Sequence, residues 1–224
     1  MSGCTMLRSY VVRVDHGFAP NPYGGILTLT CCKPRIRKVA QVGSWVLGTH
    51  RTGVNSKAVC FLGQVSEALD LDAYARDPRF KEKDSSPHGA GDRIYVRNAG
   101  GHLVQLRNRR HGPEHFADDT SVDRMLVMNK FWYFGDNIQE LPPHIVPSVV
   151  KSNQGHKNIS DISIINELEK WATQFQPGVI GAPLDQQDKS CRKKKRCQSS
   201  RRTPTCSKTS FANDQRSTGT GRCG

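Results

Sequence analysis

The sequence lacks the patterns by which membrane proteins and several large enzyme classes are identified. No apolar run approaches the roughly 18 residues that a membrane-spanning helix needs, and the N-terminus has no apolar core like that of a secretory signal. The motifs G-x-x-x-x-G-K-[ST], G-x-S-x-G and H-E-x-x-H are also missing. These absences argue against P-loop proteins, α/β-hydrolases and zinc proteases, and they favour a soluble cytoplasmic protein.

The count of eight cysteines is compatible with disulfides, but the sequence shows no secretory signal. Without a secretory signal we expect free thiols. The four cysteines nearest the C-terminus have no C-x-x-C pair and no neighbouring histidine. Cys31 and Cys32 are adjacent, so in a strand they would point to opposite faces, and core packing is the more frequent role for a free cysteine. We therefore predict no metal and no cofactor.

Acidic residues are scarce relative to basic ones. The chain has 33 Lys and Arg against 20 Asp and Glu, a formal net charge of +13. Residues 184–224 hold eleven of the basic residues and three of the acidic ones, so we expect a disordered basic tail after a single domain at 8–183. A positive field attracts polyanions by releasing their counterions, which makes nucleic acid the leading class of partner.

An anionic membrane is the poorer alternative, and no particular protein partner is indicated. Within the tail, one basic cluster is expected to bind nucleic acid without sequence preference. It consists of Arg192, Lys193, Lys194, Lys195 and Arg196.

Strand-like composition dominates the first two thirds of the chain. Strands are predicted at 9–14, 26–30, 45–48 and 57–69, and the glycine-rich turn at 98–101 predicts a hairpin. A short helix is expected at 69–76. Apolar residues recur at helical spacing between 160 and 175, which predicts an amphipathic helix that packs on the sheet. The fold class is therefore α+β with a mainly antiparallel sheet.

The segment 15–37 is the densest in unusual residues. It reads D-H-G-F-A-P-N-P-Y-G-G-I-L-T-L-T-C-C-K-P-R-I-R. Its prolines and glycines favour a loop held in one shape, in which Asp15 and Asn21 would orient the edge of a base. Lys33, Arg35 and Arg37 alternate, so in an extended segment they would project from one side and contact phosphates. An equally good explanation of these three basic residues is a solvated charged edge that discourages aggregation.

The aromatic run F-W-Y-F at 131–134 offers surfaces on which a base can stack, here assigned to Trp132 or Tyr133. In any strand about half of these rings would face the core. His156 and Lys157, in the sequence G-H-K before the long helix, would close such a pocket. If the protein is instead an enzyme, Asp15, His156 or Cys31 would supply acid, base or nucleophile.

These residues lie in ordered motifs that resemble a known family, the second type of nucleotide modification associated domain. The motifs are D-H-G-F-A-P-N-P-Y-G-G with T-L-T-C-C-K-P-R-I-R, then D-P-R-F-K-E-K, G-D-R-I-Y-V and F-W-Y-F-G, which together span about residues 10–157. The family is linked to bacterial and phage systems that modify DNA bases. The resemblance thus implies a role in making, reading or processing modified nucleotides, in a base-modification or phage-defence setting.

Two features depart from this family. Ser44 stands where the family tends to have an acidic residue, and the basic tail is an addition. The strand order is also similar to that of PUA and EVE barrels, which bind modified bases, so a barrel-like sheet is expected on that analogy.

We expect the protein to recognise a modified nucleotide or a modified base in DNA. An enzyme of base modification and a scaffold whose tail alone binds nucleic acid are the alternatives. The pocket hypothesis makes a geometric prediction, because the segment 15–37 and the aromatic run 131–134 should line one cleft.

Overall fold

A computed structural model describes residues 5–51, 57–84, 91–151 and 155–185. The strands are β1 (Leu7–Val12), β2 (Leu27–Leu29), β3 (Trp45–His50), β4 (Ala58–Gln64), β5 (Glu67–Leu69), β6 (Tyr95–Arg97), β7 (Leu103–Gln105), β8 (Met125–Met128), β9 (Lys130–Tyr133), β10 (Gln139–Glu140), β11 (His156–Ile159) and β12 (Gly178–Val179). The α-helices are α1 (Pro34–Val39), α2 (Leu71–Arg76), α3 (Phe116–Thr120), α4 (Val146–Val149) and α5 (Ile162–Ala172). Short 3₁₀ helices cover Tyr23–Gly25, Pro78–Lys83 and Pro113–His115.

The largest sheet has seven strands in the order β11-β1-β3-β4-β9-β12, with β10 paired to β4. The pairs β1·β3 and β9·β12 are parallel, and the other pairs are antiparallel. Three further strands form an antiparallel sheet in the order β2-β8-β5, and β6 pairs with β7 as the predicted hairpin. The α+β class is confirmed. Within the described residues the large sheet stays open, so the barrel expected from the PUA and EVE analogy is not confirmed.

Both faces of the large sheet are covered, and alternate residues of its strands enter two different cores. On one face, Trp45, Leu47 and Trp132 pack against α5. On the other face, Val46 and Phe61 pack against β2, β8 and α1. This two-sided cover explains why β3 and most of β4 are buried, as expected for a central strand.

The predicted amphipathic helix is confirmed as α5. Asp161 caps it by accepting a hydrogen bond from the Ser163 backbone N–H at 2.9 Å, and Ile165, Leu168 and Trp171 are buried against the sheet. No helix in the described ranges is both long and apolar enough to span a membrane.

Candidate functional site

The segment after β2 turns sharply instead of continuing as an extended chain. Cys32 and Lys33 adopt left-handed backbone conformations, with φ of 57° and 45°. Residues without a glycine's freedom occupy this region at a cost, and such strain is concentrated at functional sites. Pro34 then starts α1, for which its fixed φ is well suited. The prediction that Lys33, Arg35 and Arg37 alternate along an extended segment is therefore wrong.

The turn places Lys33 and Arg35 in a cleft of about 390 Å³, together with His156 from the start of β11. We call this the cationic cleft. Its lining residues are Lys33, Pro34, Arg35, Ile36, Asp118, Gly155 and His156. Two neighbouring members of the predicted binding set, Lys33 and Arg35, thus lie together with the distant His156. Asp118 is the one acidic residue among the lining residues.

The cleft carries an excess of positive charge. Burial lowers the pKa of His156, and the nearby cations Arg8, Arg35 and Lys151 lower it further. Within the described part of the chain, none of Arg8, Lys33 and Arg35 forms an ion pair with a carboxylate. The positive charges of Lys33 and Arg35, which line the cleft, therefore remain available to an anion.

Arg8, one of the cations near His156, has an unusual environment. Its side chain is only 7 % exposed, and Nη2 donates to the Val39 carbonyl at 2.9 Å. Its Nε and Nη1 are buried and have no hydrogen-bond partner among the described residues. Burial lowers the pKa of this guanidinium. Unsatisfied buried donors are uncommon and are often explained by an absent ion or ligand.

Arg37 points the other way, into the protein. Its side chain is fully buried, and Nε donates to the Cys32 carbonyl at 3.0 Å. The other guanidinium nitrogens donate to the carbonyls of Asp119 (2.5 Å), Val122 (2.8 Å) and Arg124 (3.1 Å). Arg37 therefore fixes the backbone of the turn and of residues 119–124, and it is not placed to bind phosphate as expected.

A compact polar cluster lies behind the turn. The Asp119 carboxylate accepts hydrogen bonds from the Cys32 backbone N–H (2.6 Å) and the Tyr95 hydroxyl (2.9 Å), and one of its oxygens contacts His111 Nε2 at 2.5 Å. Burial would raise the pKa of Asp119, but the bonds from His111 and the Cys32 N–H hold it below its usual value. Burial, aided by the negative charge of Asp119, raises the pKa of the Cys32 thiol to about 12.

Asp15, which was predicted to orient the edge of a base, instead forms hydrogen bonds inside the protein. Asp15 Oδ1 accepts hydrogen bonds from the Tyr133 hydroxyl at 2.5 Å and the Gly17 N–H at 3.2 Å, and Oδ2 accepts from the Leu184 N–H at 3.1 Å. The segment 15–37 and the aromatic run do meet at this Asp15 contact. Both partners are buried, however, so the meeting point is a polar contact inside the core and forms no open cleft.

Asn21 is also fully buried. Its Oδ1 accepts a hydrogen bond from Lys83 Nζ at 2.9 Å, and its Nδ2 donates to the Gly17 carbonyl at 3.2 Å. Lys83 Nζ donates in addition to the carbonyls of Asn21 (3.0 Å) and Ile26 (2.7 Å). These bonds fix the shape of the loop, as the proline and glycine content predicted, but they leave Asn21 no access to a base.

All four rings of the aromatic run are buried because both faces of β9 are covered. Trp132 donates from Nε1 to the Phe175 carbonyl at 3.0 Å on the α5 side, and Tyr133 faces the opposite core. Burial is the main cause that raises the pKa of Tyr133. The expectation that Trp132 or Tyr133 stacks on a base does not fit this placement.

The remaining predicted residues are divided among three places. Lys157 follows His156 in β11 and so points to the other face, where Nζ donates to the Pro147 carbonyl at 2.8 Å. Cys31 is fully buried, its thiol lies 3.6 Å from the Asp92 carbonyl, and burial raises its pKa well above the usual value. It is therefore not placed as an exposed nucleophile. The basic cluster Arg192 to Arg196 lies outside the described residues.

Sequence reasoning missed Arg8, Asp118, His111 and Asp119. The polar sequence at 107–120 was a signal for the last three, because it has the composition of a long loop and such loops are usually functional or disordered. In the structure, part of it is helical. The sequence around Arg8 contains no pattern that indicates a functional residue. Its place beside the cleft results from the pairing of β1 with β11, in which Tyr10 is opposite His156.

The comparisons with known proteins give one finding. No curated protein and no solved structure matches the chain. The family model described as nucleotide modification associated domain 2 matches residues 5–190, which is most of the chain and includes every described residue. The chain therefore belongs to the nucleotide modification associated domain 2 family, whose name connects it with nucleotide-modification systems.

Proposed function

We propose that this domain recognises a modified nucleotide, or a modified base in DNA, and that it holds the phosphate in the cationic cleft. Lys33, Arg35 and His156 are the residues proposed to contact the phosphate. The observation that supports this most strongly is their convergence on one cleft without an ion-pair partner for Lys33 or Arg35 among the described carboxylates.

The energetics favour an anion at this position. Arg35 is exposed on the first turn of α1 and can present two parallel N–H groups to phosphate oxygens. The Lys33 ammonium lies 4.7 Å from the centroid of the Tyr10 ring, which restricts its position. Burial lowers the pKa of Lys33, so a phosphate that neutralises its charge would relieve part of the cost of desolvation.

Recognition of the base is assigned to Asp118, which lines the same cleft. Asp118 is exposed there and offers a carboxylate, which accepts hydrogen bonds from amino or hydroxyl groups. Asp15, Asn21, Trp132 and Tyr133 are left out of the proposal because all four are buried.

Binding of a modified deoxynucleoside monophosphate to the full chain tests this proposal. Arg35→Ala should weaken binding about 10- to 100-fold, since a hydrogen bond to a charged group contributes about 1.5–3 kcal/mol. Lys38→Ala is the matched control, because Lys38 is exposed on the same helix and does not line the cleft. Equal affinities for the two variants would contradict the proposal.

Use of a mononucleotide separates the cleft from the basic tail. A tail that acts alone would give binding with a steep salt dependence that requires a polyanion and is unchanged by Arg35→Ala. That result would favour the third hypothesis, a scaffold whose tail binds nucleic acid.

An enzyme of base modification is the second candidate, and the cluster of Cys32, His111 and Asp119 favours it. Incubation of the full chain with modified and plain nucleotides, followed by mass spectrometry, tests this candidate. Turnover that His111→Gln abolishes would establish catalysis, whereas unchanged masses would favour binding alone. Of the catalytic residues expected from sequence, His156 alone lines the cleft, because Asp15 and Cys31 are buried.

A further inference from the structure

Three side chains of different chemistry converge behind the left-handed turn: the thiol of Cys32, the imidazole of His111 and the carboxylate of Asp119. Their ligand atoms all lie within 4.8 Å of one another. His111 is 6 % exposed and Asp119 is 2 % exposed, while Cys32 is half-buried. We propose that these three residues form a binding site for one Zn²⁺ ion.

The separation of the His111 and Asp119 ligand atoms is near the one that zinc requires. With Zn–N and Zn–O distances of about 2.0–2.2 Å in tetrahedral geometry, ligand nitrogen and oxygen lie about 3.3 Å apart. His111 Nε2 and the Asp119 oxygen are now 2.5 Å apart and share a hydrogen bond. Zinc would take the place of that shared proton, and the two side chains would need to separate by about 1 Å.

The surroundings hold the ligands in position. The Cys32 N–H donates to one oxygen of Asp119 and the Tyr95 hydroxyl donates to the other. Arg37 donates to the backbone carbonyls of both Cys32 and Asp119, so one buried guanidinium fixes the two chain segments that carry these ligands. Outer contacts of this kind orient metal ligands and increase their affinity.

The ligand types favour Zn²⁺ over Mg²⁺ and Ca²⁺. A thiolate with an imidazole and a carboxylate suits Zn²⁺, whereas Mg²⁺ and Ca²⁺ prefer sites made of oxygen alone. Three protein ligands leave the fourth tetrahedral position open to water or to a ligand. Lys33 and Asp118, the sequence neighbours of Cys32 and Asp119, line the cationic cleft, so the ion would lie beside the proposed nucleotide site.

Zinc titration of the full chain, in competition with a chromogenic chelator, tests the site. The background protein carries serine in place of the four tail cysteines, Cys191, Cys197, Cys206 and Cys223, so that they cannot contribute ligands. One ion per chain is expected. Cys32→Ser and His111→Gln should each weaken binding at least about tenfold. His115→Gln is the matched control, because the His115 ring stacks on His111 at 4.2 Å but is not part of the cluster.

Substitution with Co²⁺ gives a second readout. A thiolate ligand produces charge-transfer absorption, which the background protein should show and Cys32→Ser should lose. This spectrum shows whether Cys32 binds the metal even if His111→Gln fails to fold. Absence of zinc binding, or equal affinity in the background protein and in Cys32→Ser, would overturn the proposal. Neither result depends on nucleotide binding, which the Arg35→Ala comparison tests separately.

Discussion

Buried Lys83 should make the stability of this domain depend on pH in the alkaline range. The side chain is 1 % exposed, and its three hydrogen bonds go to Asn21 and the Ile26 carbonyl, so it fixes the loop that begins at Asp15. Burial lowers the pKa of Lys83 from 10.5 to about 8, although the charges of Asp92 and Glu82 oppose this shift. The protein therefore holds an ammonium group that is easily deprotonated.

The sign of the effect follows from proton linkage. Between pH 8 and 10.5 the unfolded chain keeps the Lys83 proton more firmly than the folded chain does. The free energy of unfolding therefore gains a contribution that is absent below pH 8 and complete above pH 10.5. Its size is about 3 kcal/mol, since each pKa unit corresponds to about 1.4 kcal/mol.

Urea unfolding of the full chain and of Lys83→Met, measured at intervals across this pH range, checks the prediction. Methionine fills a similar volume without a charge, so the difference between the two profiles isolates Lys83 from the other groups that titrate there. The free energy of unfolding of the wild type should rise by about 3 kcal/mol relative to Lys83→Met. Parallel profiles would show that Lys83 does not titrate at a lowered pKa in the folded protein. If Lys83→Met does not fold, an NMR titration of the Lys83 Nζ in the wild type replaces it, and a midpoint near 10.5 would be the contrary result.

Three further predictions concern the turn and the cleft. Arg37→Ala should reduce the free energy of unfolding by about 3 kcal/mol or more, because it leaves buried carbonyls without donors. The control Lys38→Ala should change the free energy of unfolding by less than about 0.5 kcal/mol. Chemical denaturation measures both effects. The lowered pKa of His156 leaves this side chain neutral near pH 7. The affinity of the protein for a phosphodiester should therefore rise as the pH falls below about 6.5 and His156 gains a proton. A binding titration of His156→Asn should not show that rise. Iodoacetamide should leave Cys31 unlabelled in the native protein, as followed by peptide mass spectrometry, and rapid labelling would contradict its burial.

Local patterns in the sequence were sufficient for several elements. The β-branched and aromatic composition of β1, the turn at 98–101 and the apolar spacing of α5 each predicted an element that is observed. The single strand predicted at 57–69 is divided into β4 and β5. Helix α1 was missed because the alternating basic residues were interpreted as an extended segment. Pro34 was the available counter-signal, since proline is favoured at the first position of a helix.

The site depended on contacts between distant parts of the chain, which local patterns do not specify. The aromatic run was expected to be half exposed, but both faces of the large sheet are covered and all four rings are buried. Arg8 lies near His156 because β1 pairs with β11, and α1 brings Arg35 close to the same histidine. The boundary between the domain and the basic tail remains a prediction.

Backbone amide chemical shifts can show directly whether a nucleotide binds with its phosphate in the cationic cleft. The full chain would be titrated with a modified deoxynucleoside monophosphate and, in parallel, with the matching nucleoside, which lacks the phosphate. We expect the phosphate to add shifts at Lys33, Arg35, Gly155 and His156, which line the cationic cleft. Shifts confined to the tail after residue 184, or the same cleft shifts with nucleoside and nucleotide, would contradict the account.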